Sequence, residues 1–297
     1  SLVSPYWEKY ADKLIALVKQ LGVSYFKWDG IGQYGVNGIG HYYGDEQNTP
    51  QERAESYAFQ LPLFMSRIID KVCHVCPETI FDFDITEPGR SVGLAFLSSG
   101  KYFIMNNGPY FHSFDLATEW KSPLASGNAN IFVNPGPARG WFTRSVLGYD
   151  KWIPSVLFLT HYQPDGPKRS QIINIASLIL GQNGIWGELL KLSPDNIALF
   201  HDLLAKYKQV RNDITESDPV VQGEPGLSPE IHEKINGRTG KGAIVIFANE
   251  PGKYTYVSKN SVDPGSGHTE GASVRFDAQG RAVINVEFKE AGAEIIL

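Results

Sequence analysis

Apolar residues recur at helical spacing over the first twenty residues of the chain. These positions are Trp7, Ala11, Leu14, Val18 and Leu21. Gly22, a residue typical of helix ends, follows them, and the mainly apolar run 23–28 predicts a short strand. Asp29 comes directly after that strand, and a Gly- and Tyr-rich loop extends over 30–48. A loop of this length indicates a lid or a binding surface rather than a simple connection.

The alternation of helix and strand continues along the chain. Thr49-Pro50-Gln51-Glu52 is a capping box with proline at the first helical position, and it predicts a long helix after it. Further strands are predicted at 79–86, 101–105, 155–160 and 184–187, and further helices at 92–97, at 168–180 and after Ser193-Pro194. This order predicts an α/β fold with a parallel sheet or a (β/α) barrel.

The pattern changes from about residue 213 onward. Short apolar strands separated by Gly, Pro, Asn and Asp predict a small antiparallel β-sandwich. The predicted strands are Ala243–Phe247, Tyr254–Val257, Ala272–Phe276 and Ala282–Phe288. We therefore predict a (β/α) barrel domain over 1–212 and a sandwich domain over 213–297.

Composition excludes two classes of partner. The net charge of −5 is spread over mixed signs, which gives no basic surface for nucleic acid, and no apolar run approaches the length of a membrane span. Cys73 and Cys76 lack the second pair of ligands that a zinc site requires, so they are interpreted as structural thiols. Aromatic residues make up 12% of the chain, a composition that suits stacking on sugar rings.

Polar residues follow several of the predicted strands. Lys27 and Asp29 stand at the end of the first strand, and His161 follows the fourth. The second and third strands are followed by two further groups, namely Asp84, Glu87 and Arg90, and then Asn106, Asn107 and Tyr110. In a (β/α) barrel the carboxyl ends of the strands meet at one mouth, where such folds carry out their chemistry.

The run Tyr25-Phe26-Lys27-Trp28-Asp29 resembles the nucleophile strand of glycoside hydrolase clan D, the α-galactosidase-like families 27 and 36. The family pattern there is an apolar run, a lysine, an aromatic residue and an aspartate. A second similarity lies in 192–194 through 207–211, which resembles the last barrel helix before the sandwich of this group. The resemblance implies a (β/α)8 TIM barrel, present here from its fourth strand, followed by the β-sandwich.

The resemblance also implies roles for these residues. Asp29 matches the nucleophile of a retaining exo-α-glycosidase, most plausibly α-galactosidase-like, which needs no cofactor and no metal. The residues implied to contact substrate are Lys27, Trp28, Asp84, Arg90, Asn106, Asn107, Tyr110 and His161. A salt bridge at the barrel rim is the alternative for Lys27 and Asp29, and a satisfied strand-end histidine is the alternative for His161.

The general acid departs from the family pattern. Clan D places it at the end of the sixth strand, where this chain has Asn106 and Asn107, and an amide is not a useful proton donor. Three explanations stay open: the acid is Glu87 or Asp84, Asp115 reaches in, or the protein binds sugar without hydrolysis. Glu87 is preferred as catalytic acid because Pro88 and nearby aromatics favour desolvation, although a charge pair with Arg90 is the alternative.

The register of the resemblance leaves barrel strands one to three unassigned. A preceding segment of a longer protein or a further chain is expected to complete the barrel. The expected partner is an oligosaccharide or glycoside, with neither nucleic acid nor membrane involved. The sequence leaves the compartment open, with a secreted or periplasmic location favoured over the cytoplasm.

Overall fold

A computed structural model describes most of the chain, and its described residues belong to two compact units. One unit comprises 1–106 and 151–156, and the other comprises 107–150 and 157–297. The described ranges are 2–28, 47–84, 102–105, 156–161, 168–180, 182–186, 192–224, 227–264 and 271–297, with single residues at 99 and 190. The helix predicted at 92–97 lies outside the described residues.

The first unit alternates helix and strand as predicted. Its elements are α1 (Tyr6–Leu21), β1 (Tyr25–Trp28), α2 (Pro50–Val75), β2 (Ile80–Asp84) and β3 (Tyr102–Met105). The three strands are parallel and lie in the order β1-β2-β3. Gly22 ends α1 in the left-handed conformation, with φ of 70°, which a residue without Cβ adopts at little cost.

The core of the first unit lies between the two helices and one face of this sheet. The buried residues are Val3 before α1, Ala11 and Leu14 of α1, Tyr57, Leu61, Met65, Ile68, Ile69 and Val72 of α2, and Trp28 and Phe81 of the sheet. The sequence pattern predicts Tyr57, Leu61, Phe64, Ile68 and Val72 on the inward face of α2. The prediction is confirmed for four of them, and Phe64 packs against the core from a partly buried position. Pro62 lies inside α2, which continues past it to Val75.

The predicted capping box is confirmed at the start of α2. The Thr49 hydroxyl accepts a hydrogen bond from the Glu52 backbone N–H at 3.2 Å, and the Glu52 carboxylate accepts one from the Thr49 backbone N–H at 2.7 Å. This backbone hydrogen bond, followed by the one from the Thr49 side chain, lowers the pKa of Glu52. The backbone N–H groups of Thr49 and Glu52 are therefore satisfied locally.

Replacing Thr49 with alanine is expected to reduce the free energy of unfolding by about 1 kcal/mol, because the N-cap acceptor is lost. Denaturant unfolding followed by helical circular dichroism measures the change. Thr49→Ser keeps the acceptor oxygen and serves as the control, with an expected loss of less than half of that value. Equal losses in both variants would show that the hydroxyl does not cap α2.

The second unit begins with the same alternation. Its elements are β4 (Val156–His161), α3 (Lys168–Leu178), β5 (Gln182–Trp186) and α4 (Pro194–Glu216), and β4 pairs with β5 in parallel. Ser193 caps α4 as predicted, since its hydroxyl accepts a hydrogen bond from the Asn196 backbone N–H. The sequence pattern places Ile197, Phe200, Leu204 and Tyr207 on one face of this helix. The prediction is wrong for Ile197, which is 50% exposed, and the buried residues of α4 are Leu203 and Ile214.

The end of the chain folds into two antiparallel sheets that share one core, as the sequence predicts. The strands are β6 (Val220–Gln222), β7 (Glu230–Ile235), β8 (Gly242–Ala248), β9 (Gly252–Ser261), β10 (Ala272–Phe276), β11 (Arg281–Phe288) and β12 (Gly292–Ile296). One sheet has the order β12-β8-β7-β6 and the other β10-β11-β9. Isoleucines of β7 and β8 pack against Tyr256, Ile284 and Val286 of the second sheet.

The observed elements confirm the α/β fold class. Parallel strands alternate with helices in both units, and antiparallel sheets follow in the second. A closed eight-stranded barrel and the boundary at 212/213 stay predictions. No helix in the described part of the chain has the length and apolar character that a membrane span requires.

Candidate functional site

The carboxyl ends of three parallel strands, β1, β2 and β3, define the candidate site. Lys27 is the register partner of Asp82, and Trp28 is that of Phe83. Asp84 ends β2 and pairs with Ile104 of β3. Because the strands run in parallel, their carboxyl ends lie at the same edge of the sheet, which is where ligands bind in α/β folds.

One face of this sheet is packed against the helices. Phe26 stacks on Phe81 with ring centroids 5.4 Å apart, and Trp28 meets Phe81 edge to face at 5.0 Å. Burial raises the pKa of the Tyr10 hydroxyl, and a hydrogen bond from Trp28 to Tyr10 acts in the opposite direction. Trp28, at 9% exposure, therefore anchors the end of β1 to α1.

The opposite face of the sheet carries polar side chains, and we call it the open face, defined by Tyr25, Lys27 and Asp82. Lys27 is exposed, and Tyr25 is 43% exposed. Asp82 is completely buried, and the Tyr25 hydroxyl donates a hydrogen bond to its Oδ2. The open face thus presents a cation two residues before Asp29 in the sequence.

Most of the predicted site residues lie outside the described part of the chain. These are Asp29, Glu87, Arg90, Asn106, Asn107 and Tyr110, together with Asp115. Among the others, Lys27 and Trp28 lie on opposite faces of β1, and Asp84 is the last residue of β2. His161 is the last residue of β4 and pairs in register with Trp186 of β5.

No group of three or more metal-ligating side chains occurs within the described ranges. Cys73 and Cys76 are free thiols, each partly buried, and Cys73 lies near the Thr79 carbonyl with Sγ and O 3.8 Å apart. The interpretation of both cysteines as structural stays a prediction.

Sequence reasoning gave no role to Tyr25 or Asp82, although the structure brings them together on the open face. The period-two alternation of Phe81 and Phe83 with Asp82 and Asp84 contained the signal, since alternate residues of a strand face opposite sides. The pairing of Tyr25 with Asp82 depends on strand register, which the alternation alone does not fix.

Comparison with known proteins gives matches only among solved structures; no family model matches, and no curated protein matches. A variant of the GH36 α-galactosidase AgaA from Geobacillus stearothermophilus, in complex with raffinose, superposes with a TM-score of 0.61 at 12% identity. The similarity covers 99% of this chain and 38% of that one. The chain has an α-galactosidase-like fold. The resemblance predicted from the motif at 25–29 is thereby confirmed at the level of the fold.

Two further structures extend the comparison. The GH36 α-galactosidase AgaB from the same organism matches with a TM-score of 0.57 at 12% identity, over 97% of this chain and 38% of that one. A debranching enzyme from Nostoc punctiforme matches with a TM-score of 0.58 at 10% identity, over 100% of this chain and 62% of that one. The chain therefore spans less than two thirds of the length of each of these proteins, and at these identities the likeness concerns the fold.

Proposed function

We propose that this chain is the nucleophile-bearing part of a glycoside hydrolase, a retaining exo-α-glycosidase that acts on α-galactosides. The observation that carries the proposal is the position of Lys27 on the open face at the end of β1, directly before Trp28-Asp29, in an α-galactosidase-like fold. An ammonium there donates to sugar hydroxyls and favours the ionised form of a neighbouring carboxylate.

In the proposed reaction Asp29 attacks the anomeric carbon, and a second carboxyl group protonates the departing oxygen. Retention requires these two carboxyl groups to be about 5 Å apart. Glu87 is the proposed acid, with Asp84 and Asp115 as the other candidates. Arg90, Asn106, Asn107, Tyr110 and His161 are proposed to line the sugar site.

The AgaA complexes support the choice of substrate. Structures of that enzyme were obtained with raffinose, with stachyose and with 1-deoxygalactonojirimycin. We propose the same class of ligand, a galactoside with an oligosaccharide leaving group, for this chain. The first barrel strands are proposed to come from another polypeptide segment or another chain, because the matched α-galactosidases are covered over only 38% of their length.

Substrates with different leaving groups can identify which residue is the catalytic acid. A dinitrophenyl leaving group departs without protonation, whereas an alkoxide needs a proton donor, so loss of the acid slows only the alkyl substrate strongly. We expect Glu87→Gln to lower kcat/KM for methyl α-galactoside by about 10²- to 10⁴-fold and to affect the dinitrophenyl substrate far less. Asp84→Asn and Asp115→Asn are the matched comparisons, and the same selective loss in one of them would transfer the role to that residue.

A second candidate function is sugar binding without hydrolysis. The observation that favours it is the strand order β1-β2-β3. If β1 corresponds to the fourth strand of the family's barrel, β3 corresponds to the sixth, and Asn106-Asn107 follow it where the family has its acid. Titration calorimetry with raffinose separates the two functions. Continuing heat with release of galactose supports hydrolysis, whereas saturable heat with unchanged raffinose supports the binding protein.

A further inference from the structure

A cavity of about 530 Å³ lies in the second unit, between α4 and the end of the sandwich where β7 turns into β8. Lys206, Gln209 and Val210 of α4 form one of its walls, and residues of the sandwich form the rest. The volume is in the range of small-molecule binding sites. The described lining residues include none of the candidate-site residues, so the proposed glycosidase reaction does not account for this cavity.

The floor of the cavity is aliphatic. Four of its residues, Ile235, Ile244, Val262 and Ile296, are at most 5% exposed and belong to the core that the two sheets share. No aromatic side chain is among the described lining residues, so this part of the chain offers no stacking platform for a sugar ring. The floor therefore suits an aliphatic chain rather than a second sugar.

The mouth of the cavity is polar and carries an excess of positive charge. Lys206, Gln209 and Lys241 are exposed, in contrast to the buried floor. None of the ion pairs formed within the described ranges involves Lys206 or Lys241. Asp263 is the one acidic side chain among the described lining residues, so two ammonium groups stand against one carboxylate. An anionic group at the mouth would find charged hydrogen-bond donors there.

The wall that carries Lys241 is fixed to α4 by hydrogen bonds. This wall is the hairpin 236–241 between β7 and β8. Thr239 Oγ1 donates to Asp213 Oδ1 of α4 at 2.7 Å, and Asn236 Nδ2 donates to the same oxygen at 3.2 Å. Because these contacts lie within the protein itself, the two walls are held in place before any ligand binds, which reduces the ordering that binding requires.

We propose that this cavity binds a small amphipathic carboxylate, an aliphatic acid whose chain lies on the buried floor and whose carboxylate accepts hydrogen bonds from Lys206 and Lys241 at the mouth. The aliphatic floor selects the chain, and the excess of ammonium groups selects the negative charge. The proposal does not rest on the glycosidase function, because it follows from residues of α4 and the sandwich alone.

Titration calorimetry of the full chain with sodium octanoate tests the proposal. Native protein is expected to bind one octanoate, and the double variant Lys206→Gln/Lys241→Gln is expected to bind it about 10-fold more weakly, because the charged donors are lost. Lys208→Gln is the matched control, since Lys208 is an exposed lysine of α4 that is not among the described lining residues, and its dissociation constant should equal that of the native protein. Absence of binding to the native protein, or equal losses in the control and the double variant, would overturn the proposal.

1-Octanol separates the contribution of the charge from that of the chain. This neutral analogue is expected to bind about 10-fold more weakly than octanoate to the native protein and equally to the double lysine variant. Equal affinities of octanol and octanoate for the native protein would show that the cavity does not select a carboxylate.

Val210→Trp tests the location of the ligand, because a larger side chain on the α4 wall fills part of the cavity. Octanoate binding is expected to be lost in this variant, with circular dichroism as the check that it folds. Unchanged binding in folded Val210→Trp would place octanoate elsewhere and overturn the proposal. If Val210→Trp does not fold, the lysine variants, which change only exposed side chains, decide alone.

Discussion

Replacing Asp29 by asparagine is expected to abolish turnover of an aryl α-galactoside, with kcat/KM falling by at least about 10⁴-fold. Asparagine keeps the shape of aspartate but cannot form the glycosyl ester on which retention depends. A chromogenic assay with a nitrophenyl α-galactoside measures the loss. The first product should also retain the α-anomeric configuration in the native protein, which proton NMR detects before mutarotation.

Two variants control this prediction. Asp70→Asn changes an exposed aspartate of α2 and should leave activity unaltered. Asp29→Gly removes the side chain and leaves room for azide, which can replace the nucleophile and should give a galactosyl azide of inverted configuration. Turnover that survives in Asp29→Asn, or azide rescue that fails in a folded Asp29→Gly, would remove Asp29 from the mechanism.

The helices of the first unit could be predicted because their signals are local. Thr49 and Glu52 satisfy each other's backbone N–H groups within one turn, so the capping box defines the start of α2 without any tertiary contact. Gly22 does the same for the end of α1 through its left-handed conformation. In α4 the apolar spacing does not identify the buried face, since Ile197 is 50% exposed while Leu203 and Ile214 are buried.

Strand β7 could not be predicted, because its sequence Glu-Ile-His-Glu-Lys-Ile looks like an exposed segment while all six residues are buried. Some of its charged groups are satisfied within the strand and others by residues far away in the sequence. Lys234 Nζ donates to the Leu180 carbonyl at 2.8 Å, and His232 Nε2 lies 2.6 Å from Glu230 Oε1. Composition cannot reveal such burial, since the partner of Lys234 lies more than fifty residues away.

In the candidate site too, a local motif could be predicted from the sequence, whereas contacts between strands could not. The motif Lys27-Trp28-Asp29 is contiguous, and it led to the α-galactosidase-like fold that the structure comparison confirms. The relation of Tyr25 and Lys27 to Asp82 depends on the register between β1 and β2, which tertiary packing sets. The catalytic acid is harder still to predict, because the distance from Asp29 to Glu87, Asp84 or Asp115 depends on the positions of separate chain segments.

Glu233→Gln is expected to destabilise the sandwich by about 3 kcal/mol, although the change is nearly isosteric. The Glu233 carboxylate is fully buried, and Oε2 accepts hydrogen bonds from the Tyr256 hydroxyl and the Lys259 N–H, both at 2.7 Å. Oε1 accepts two more from Asn260, from its backbone N–H at 2.9 Å and its side-chain amide at 2.7 Å. An amide NH2 in either position would face donors, so hydrogen bonds to a charged acceptor are lost and a buried N–H is left unsatisfied.

Denaturant unfolding of Glu233→Gln, Tyr256→Phe and Glu287→Gln separates the causes. Tyr256→Phe removes one of the four donors and should reduce the free energy of unfolding by less than Glu233→Gln does. Glu287 forms a surface ion pair with Lys253, with side chains 58% and 78% exposed, so Glu287→Gln should reduce it by no more than about 0.5 kcal/mol.

Burial, followed by the hydrogen bond to Glu233, raises the pKa of the Tyr256 hydroxyl. The stability that this contributes is complete below the usual tyrosine pKa of about 10 and declines as the pH rises above it. The native protein should therefore lose more stability than Tyr256→Phe above that pH, and equal alkaline losses would show that the Tyr256–Glu233 contact does not stabilise the sandwich.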